Sequence, residues 1–460
     1  MRRCSVALLA CACSVAPKYE RPAVDLPVRY RFADQEADSL ANVKWWNVFR
    51  DPELQGLVRE ALLHNPDVRI AAARVDELRG LYGVARAAQF PQVQLTADVV
   101  HARASERGAS QIPPGVSPVG TLYNVSGEVT YQTDFWGQFR GLAAEARANL
   151  LAQEEARSNV VLSVVTSVAQ AYFQLRELDL ELEITRRTVA SFEDSLRLTR
   201  IRFEGNVASE LDVRQAETAL YSAQAQIPQL DVQIAQQENA ISILAGRNPA
   251  GVRRGAPITG QNAPPEVPAG LPSQLLARRP DLRQAEAQLV GAFAGIGVAR
   301  AQFLPQFSLT ASGGFTSTAL STLLSGPALA WQLVAGLAQP IFQGGRLRAN
   351  LEAAEARREQ AAIAYSAALQ RALADVDDAL VAYHKTGEQL ALQRSLVESS
   401  SAALNLANSR YTAGVSTYLE VLDAQRQLFN AELSRARTEG ALLVALVRLY
   451  GALGGGWDAT

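Results

Sequence analysis

The side chains able to do covalent or acid–base chemistry are few and unevenly placed. All three cysteines, Cys4, Cys11 and Cys13, fall within the first thirteen residues. Arg2 and Arg3 precede a short apolar run at 6–12, the pattern of a secretory signal. Leu8-Leu9-Ala10-Cys11 sets a small residue directly before a thiol, as a bacterial lipid-attachment signal does, and Cys13 follows two positions later. Residues 1–13 therefore read as a lipoprotein signal region, with Cys11 and Cys13 both open as the lipidated thiol. The apolar run is short, so the start of the signal is expected upstream. A processed chain keeps no thiol for an internal disulfide or for catalysis.

The remaining reactive groups do not assemble into a catalytic pattern. His64, His101 and His384 are scattered without metal-ligand spacing. Asp375, Asp377 and Asp378 crowd one helical stretch with no nearby histidine, and read as an exposed or lumen-facing acidic patch. No phosphate-binding loop, dinucleotide fingerprint or nucleophile elbow occurs. The expectation is a non-enzyme with no cofactor and no metal. A formal charge of −2 leaves no basic footprint, so no nucleic-acid partner is expected. A hydrophobic content of 48% allows substantial burial, but no run of 18 apolar residues offers a membrane-spanning helix.

The elements that carry these residues are long. From Val164 through Val168, Ala171, Leu175, Leu178, Leu182, Thr185, Val189 and Phe192 to Leu196, apolar positions step by three and four. That is the 3.5-residue period of a coiled-coil seam. A helix over 137–203 without a proline would be about 100 Å long. It cannot bury itself in a ball, so it lines a bundle, a rod or a tube. A turn at 204–209 leads into a second helix over 209–246.

Elsewhere the period is two. Val93, Leu95, Ala97 and Val99 alternate with Gln92, Gln94, Thr96 and Asp98. Tyr123, Val125, Val129, Tyr131 and Phe135 alternate with Asn124, Glu128, Thr130, Gln132 and Asp134. Such a hairpin, over 91–135, fits both a membrane-spanning pair, whose strands need about 9–11 residues, and a half-buried soluble one. Aromatic residues near the strand ends tilt the reading towards the membrane.

The whole order then recurs. Asn65-Pro66-Asp67-Val68-Arg69 returns as Arg279-Pro280-Asp281-Leu282-Arg283, and Val84-Ala85-Arg86-Ala87 as Val298-Ala299-Arg300-Ala301. Arg202-Phe203, Val207, Leu211 and Val213 return as Arg410-Tyr411, Val415, Leu419 and Val421. The spacing is a tandem duplication. After an extended leader at 14–50, the first repeat spans 51–250. A linker at 251–272 precedes the second repeat at 273–453, and a tail occupies 454–460. The second repeat carries helices over 281–303, 345–411 and 416–452 and a hairpin over 305–341. The fold class is mainly α with four strands per chain. Four strands cannot close a barrel in lipid, and an open edge is not tolerated there. Several copies must then share one barrel, above a tube of helices on the same axis.

On these residues the sequence resembles the outer-membrane channel components of tripartite efflux pumps, the TolC-like proteins, in their lipoprotein branch. The resemblance spans the chain beyond its signal. It is carried by Cys13-Ser14-Val15-Ala16-Pro17-Lys18-Tyr19, Trp45-Trp46 with Phe49-Arg50-Asp51-Pro52, and Pro340-Ile341-Phe342-Gln343-Gly344-Gly345. Arg410-Tyr411-Thr412-Ala413-Gly414-Val415 and Leu422-Asp423-Ala424-Gln425 complete the set. It implies lipidation at Cys13 and a homotrimer with a twelve-stranded barrel in outer-membrane lipid over a twelve-helix barrel in the periplasm. It also implies a periplasmic adaptor and an inner-membrane proton-driven pump as partners.

The resemblance further implies that the turns Gly205-Asn206-Val207-Ala208-Ser209 and Gly414-Val415-Ser416 meet the adaptor at the periplasmic tip, although these residues also suit ordinary helix-hairpin turns. Leu419 and Asp423 lie four apart, on one helix face. In the family the matching pair narrows the pore, with the tyrosine matching Tyr411 nearby. Three copies of Asp423 would favour cations; read alone, Asp423 is a solvated helix charge. Thr412 and Ala413 stand where relatives often carry a basic and a small or polar residue. The expected function is a passive exit duct for small molecules. The alternatives are the duct of a type I protein secretion system and a periplasmic coiled-coil tether with no pore.

Overall fold

The computed structural model describes residues 15–22, 27, 29–31, 50–105, 107, 113, 115, 117–261, 270 and 272–455. Cys11, Cys13 and the Trp45-Trp46 run lie outside them. The chain divides into two compact units. One gathers Asp76–Ala152 and Glu286–Ala364 with the segment 15–22; the other gathers Ala23–Val75, Gln153–Ala285 and Tyr365–Thr460.

In chain order the described elements are α1 (Pro52–His64), α2 (Pro66–Ala87), β1 (Gln92–Arg103), β2 (Val119–Thr133) and α3 (Gln138–Glu204). Then follow α4 (Glu210–Gln224), α5 (Gln226–Leu244), a short α6 (Leu275–Arg278), α7 (Pro280–Ala301), β3 (Gln306–Ser317), β4 (Leu329–Ala338), α8 (Arg346–Thr412) and α9 (Tyr418–Ala452). The two long helices, α3 and α8, have 67 residues each.

Helix starts follow local chemistry. Asn65 opens α2, its Oδ1 accepting from the Asp67 and Val68 amides at 2.8 and 3.3 Å, with Pro66 in the first turn. At the equivalent start of α7 stands Arg279, whose guanidinium reaches Asp281 at 2.7 Å, Asp375 at 2.9 Å and the Ala452 carbonyl at 3.0 Å. In the first repeat the helix expected over 209–246 is two helices. Pro228 has no N–H for the Gln224 carbonyl, so α4 ends at Gln224 and α5 starts at Gln226. The strand β4 stops at Ala338, two residues short of Pro340, which could not donate to a ladder.

The four strands form one antiparallel sheet in the order β1-β2-β3-β4. Its register sorts the side chains by face. Leu95 stands opposite Gly127, Val93 opposite Val129, Tyr131 opposite Leu309, and Ala311 opposite Leu333. On the other face Thr96 stands opposite Ser126, Glu128 opposite Ser312, and Ser312 opposite Gln332. One face is thus apolar across all four strands and the other polar. Among the described residues the apolar face has no cover: Leu95, Trp331 and Leu333 are 77%, 78% and 72% exposed.

The unit containing α1, α4–α6 and α9 holds the larger core. Tyr172, Phe173, Leu175, Leu369, Leu446 and Tyr450 are fully buried there. Of the seam expected along α3, Val164, Val168, Ala171 and Leu175 lie in this core and Val189, Phe192 and Leu196 in a second cluster of the same unit; Thr185 is buried, and Leu178 and Leu182 are half-buried. Asp51, 2% exposed, ties this unit's segments together. Its carboxylate accepts from the Glu53 amide at 3.0 Å, the Tyr172 hydroxyl at 2.8 Å, the Ala256 amide at 3.1 Å and Gln261 Nε2 at 3.0 Å. The Tyr172 hydroxyl in turn accepts from the Gly255 amide at 2.9 Å.

Candidate functional site

The two turns that end the long helices are built alike. After α3, the Val207 amide donates to the Arg202 carbonyl at 2.7 Å and the Asn206 amide to the Phe203 carbonyl at 2.9 Å. After α8, Val415 donates to Arg410 at 3.0 Å and Gly414 to Tyr411 at 3.1 Å. Each pair is the double closure of a Schellman motif, with a left-handed residue at its hinge. That residue is Asn206 (φ 60°) in one turn and Gly414 (φ 77°) in the other. The next helices start differently. Ser209 and Asp212 form a reciprocal capping box on α4, whereas Thr417 makes no side-chain cap on α9. Val207 and Val415 are exposed on the two turns.

The three residues expected at a gate differ in exposure. Tyr411 is buried at 8% exposure, its ring centroid 5.7 Å from that of Tyr418. The Arg202 guanidinium carbon lies 4.2 Å from the Tyr411 ring centroid, and Nη1 donates to the Tyr411 carbonyl at 3.1 Å. The Tyr411 hydroxyl is buried with no hydrogen-bond partner among the described residues. Burial, with the neighbouring Tyr411, pushes the Tyr418 hydroxyl up to about 12. Leu419 and Asp423 instead stand on the exposed face of α9, where Asp423 accepts from Gln427 Nε2 at 2.6 Å. The opposite face of α9, with Val421, Leu422 and Gln425, packs inward, and Gln425 donates to Ser195 Oγ at 2.7 Å.

Arg202 is the residue that sequence reasoning passed over. It entered only as the repeat mate of Arg410, and nothing in its spacing points at Tyr411. The two arginines have diverged: Arg410 stays with its own hairpin, pairing with Glu420 at 3.2 Å.

A cavity of about 840 Å³ is lined by α3, α8 and α9, with Glu177, Asp378, Arg437 and Arg448 in its wall. Glu181 holds Arg437 with bonds of 2.8 and 3.0 Å. Burial, with the Glu181 charge one turn away, pushes the Glu177 carboxyl up to about 7. Of the acidic patch, Asp375 pairs with Arg279 and Asp377 accepts from the Arg31 amide at 3.1 Å. Among the described residues no group of three or more His, Cys, Asp or Glu could hold a metal ion, and no helix is long and apolar enough to cross a membrane.

On the polar face of the sheet a ladder crosses three strands: Asn124 Nδ2 donates to Asp98 at 3.1 Å and Thr316 Oγ1 donates to Asn124 at 3.0 Å. Just past the expected lipidation site, the segment 15–22 lies on α7. Tyr19 packs edge-on against Phe293 at 5.6 Å, and Arg21 and the Tyr19 hydroxyl both reach Glu286. Ala16 fills the space over Gly297, where a Cβ would meet its methyl at 2.5 Å.

A family model described as "Outer membrane efflux protein" matches residues 57–247 and 271–455. The solvent efflux pump outer membrane protein SrpC of Pseudomonas putida is 37% identical, over 98% of this chain and 97% of its own length. The probable outer membrane lipoprotein SilC of Salmonella typhimurium is 32% identical over 98% of this chain and 97% of its own. Among solved structures, the open state of the MtrE outer membrane channel of Neisseria gonorrhoeae superposes with a TM-score of 0.88 at 30% identity, covering 97% of this chain and 99% of the other.

Proposed function

This chain belongs to the outer membrane efflux protein family, and we propose that it serves as the passive exit duct of a tripartite efflux system, opened at the turns of its long helices. The observation that carries this reading is the sheet. Its apolar face is uncovered across four strands and its polar face is hydrogen-bonded strand to strand. A tether has no use for such a face, and lipid does. Both sheet edges, β1 and β4, lack a partner among the described residues. Three copies joined edge to edge give a barrel of twelve strands, which removes the edges that lipid forbids.

The finer parts of the reading are these. Cys13 carries the lipid, and the segment after it is held on α7, whose end leads directly into β3. The turns at Gly205–Ser209 and Gly414–Ser416 meet a periplasmic adaptor, which couples the duct to an inner-membrane pump. Leu419 and Asp423 point their exposed face into the lumen and, in three copies, narrow it; Tyr411 fixes the hairpin that carries them. Substrate choice rests with the pump, since a wide wet lumen needs little selectivity. That a relative is described in an open state supports a duct with more than one state.

Single-channel conductance of the purified assembly in planar bilayers tests this, beside an Asp423→Ala variant. Small, flickering openings that enlarge in the variant support both pore and gate. Large, steady openings in both proteins keep the duct and remove Asp423 from its gate. No conductance from a correctly assembled sample rejects the duct.

A further inference from the structure

We propose that Arg202 is a latch joining the two tip hairpins, and that it acts through the ring and the backbone carbonyl of Tyr411, not through the tyrosine hydroxyl. This deepens the gate reading above and rests on it.

The contact has two parts on one guanidinium. Its carbon sits 4.2 Å from the Tyr411 ring centroid, and Nη1 donates to the Tyr411 carbonyl at 3.1 Å. That carbonyl lies in the last turn of α8, where it also accepts the Gly414 amide at 3.1 Å and where a nearby cation is favoured. Planar guanidinium is suited to stacking and donating at once, which a lysine ammonium is not. The ring is enclosed, with Tyr418 beside it and only 8% of Tyr411 exposed, so the cation–π attraction is less screened than at an open surface. Among the described residues the hydroxyl contributes no hydrogen bond to the junction.

The repeat itself singles out this contact. Arg202 and Arg410 are 208 residues apart and hold the same place in matching turns, each carbonyl accepting the closing amide. Their side chains differ in destination. Arg410 pairs with Glu420 in its own hairpin, while Arg202 leaves its hairpin and grips the other. The second hairpin is the one that carries Leu419 and Asp423. Any opening that moves this hairpin away from the first must slide Tyr411 out from under Arg202, whereas Arg410 and Glu420 travel together. The latch therefore weights the closed arrangement without lining the lumen.

The test is open probability and conductance in planar bilayers, on samples first checked for assembly by size-exclusion chromatography in detergent. Arg202→Met is expected to raise open probability on the order of tenfold, the effect of losing one enclosed cation–π contact with its hydrogen bond. Arg202→Lys is expected to fall between, because charge is kept and the planar fork is not. Tyr411→Leu is expected to open far more often than Tyr411→Phe, and Arg202→Met combined with Tyr411→Leu no more often than Arg202→Met alone, because the leucine variant keeps the backbone carbonyl that Arg202 also grips. Arg410→Met serves as the control that leaves the junction in place.

If Asp423→Ala alters conductance while Arg202→Met and Tyr411→Leu do not, the latch is overturned and the gate stands. If Tyr411→Phe opens as much as Tyr411→Leu, the hydroxyl is the contact and the latch as stated is overturned. If no variant, Asp423→Ala included, changes the openings, the gate reading itself falls. Should Arg202→Met fail to assemble, the Arg202→Lys value and the split between the two Tyr411 variants still decide.

Discussion

Asn206 and Gly414, 208 residues apart, close the same turn at the ends of the two 67-residue helices, both with left-handed backbones at φ 60° and 77°. Glycine enters that region freely, asparagine at small cost, and a β-branched residue only under strain.

Gly414→Val should therefore cost roughly 1–2 kcal/mol of local stability, while Asn206→Gly should be neutral within a few tenths. Limited proteolysis at the two turns, followed with time, measures both. Equal cleavage of Gly414→Val and the parent would mean that the turn does not depend on its left-handed hinge.

The buried Asp51 carboxylate accepts from Glu53, Tyr172, Ala256 and Gln261. Asp51→Ala strands several donors at once, for a loss on the order of 3 kcal/mol. Tyr172→Phe should cost less, about 1 kcal/mol, since Asp51 keeps its other three bonds. Urea unfolding of the assembled protein ranks the two, and the reverse order would remove Asp51 from the centre of this network.

Glu177 gives the protein a pH dependence of definite sign. Burial raises its folded-state pKa to about 7, above the ordinary carboxylate value, so the folded chain binds the proton more tightly than the unfolded one. Stability from this group is highest below about pH 4.5 and declines as pH rises to about 7, where the folded carboxyl ionises; above that the penalty is complete. Between pH 5 and 8 the melting temperature of Glu177→Gln should fall less than that of the parent. Parallel curves would show that Glu177 is not the titrating group.

The two faces of the sheet should tolerate charge differently. Leu333→Arg places a guanidinium on the apolar face and should cost about 2–4 kcal/mol, blocking assembly into heat-modifiable oligomers. Ser312→Arg, on the polar face, should assemble and change ion selectivity instead. Assembly of Leu333→Arg together with failure of Ser312→Arg to assemble would mean the faces are assigned the wrong way round.

Much of the architecture is legible in the sequence because its signals are periodic. Val93, Leu95, Ala97 and Val99 alternate strictly, and a period of two leaves only one way to sort a strand's side chains between faces. The seam from Val164 to Leu196 works the same way at a longer period. Breaks were harder to see: Pro228 reads as one residue inside a helical pattern, and only the missing bond to Gln224 ends α4 there. At the turns, Gly414 and Asn206 announce themselves by type. Arg202 does not. Its partner is on another helix more than two hundred residues away, and an arginine in the last turn of a helix is already explained by the helix dipole. Residues that act across elements leave no local trace.

The open edges of β1 and β4 reach beyond structure into inheritance. A barrel whose sheet closes only when three chains contribute is as sound as its worst member. A copy with a spoiled β4 edge but an intact β1 edge could enter an assembly and prevent its closure. With such a copy and a sound one made in equal amounts, roughly one barrel in eight would be built wholly from sound chains. Lesions in these strands should therefore behave as dominant, and lesions that keep a chain out of assembly altogether as recessive.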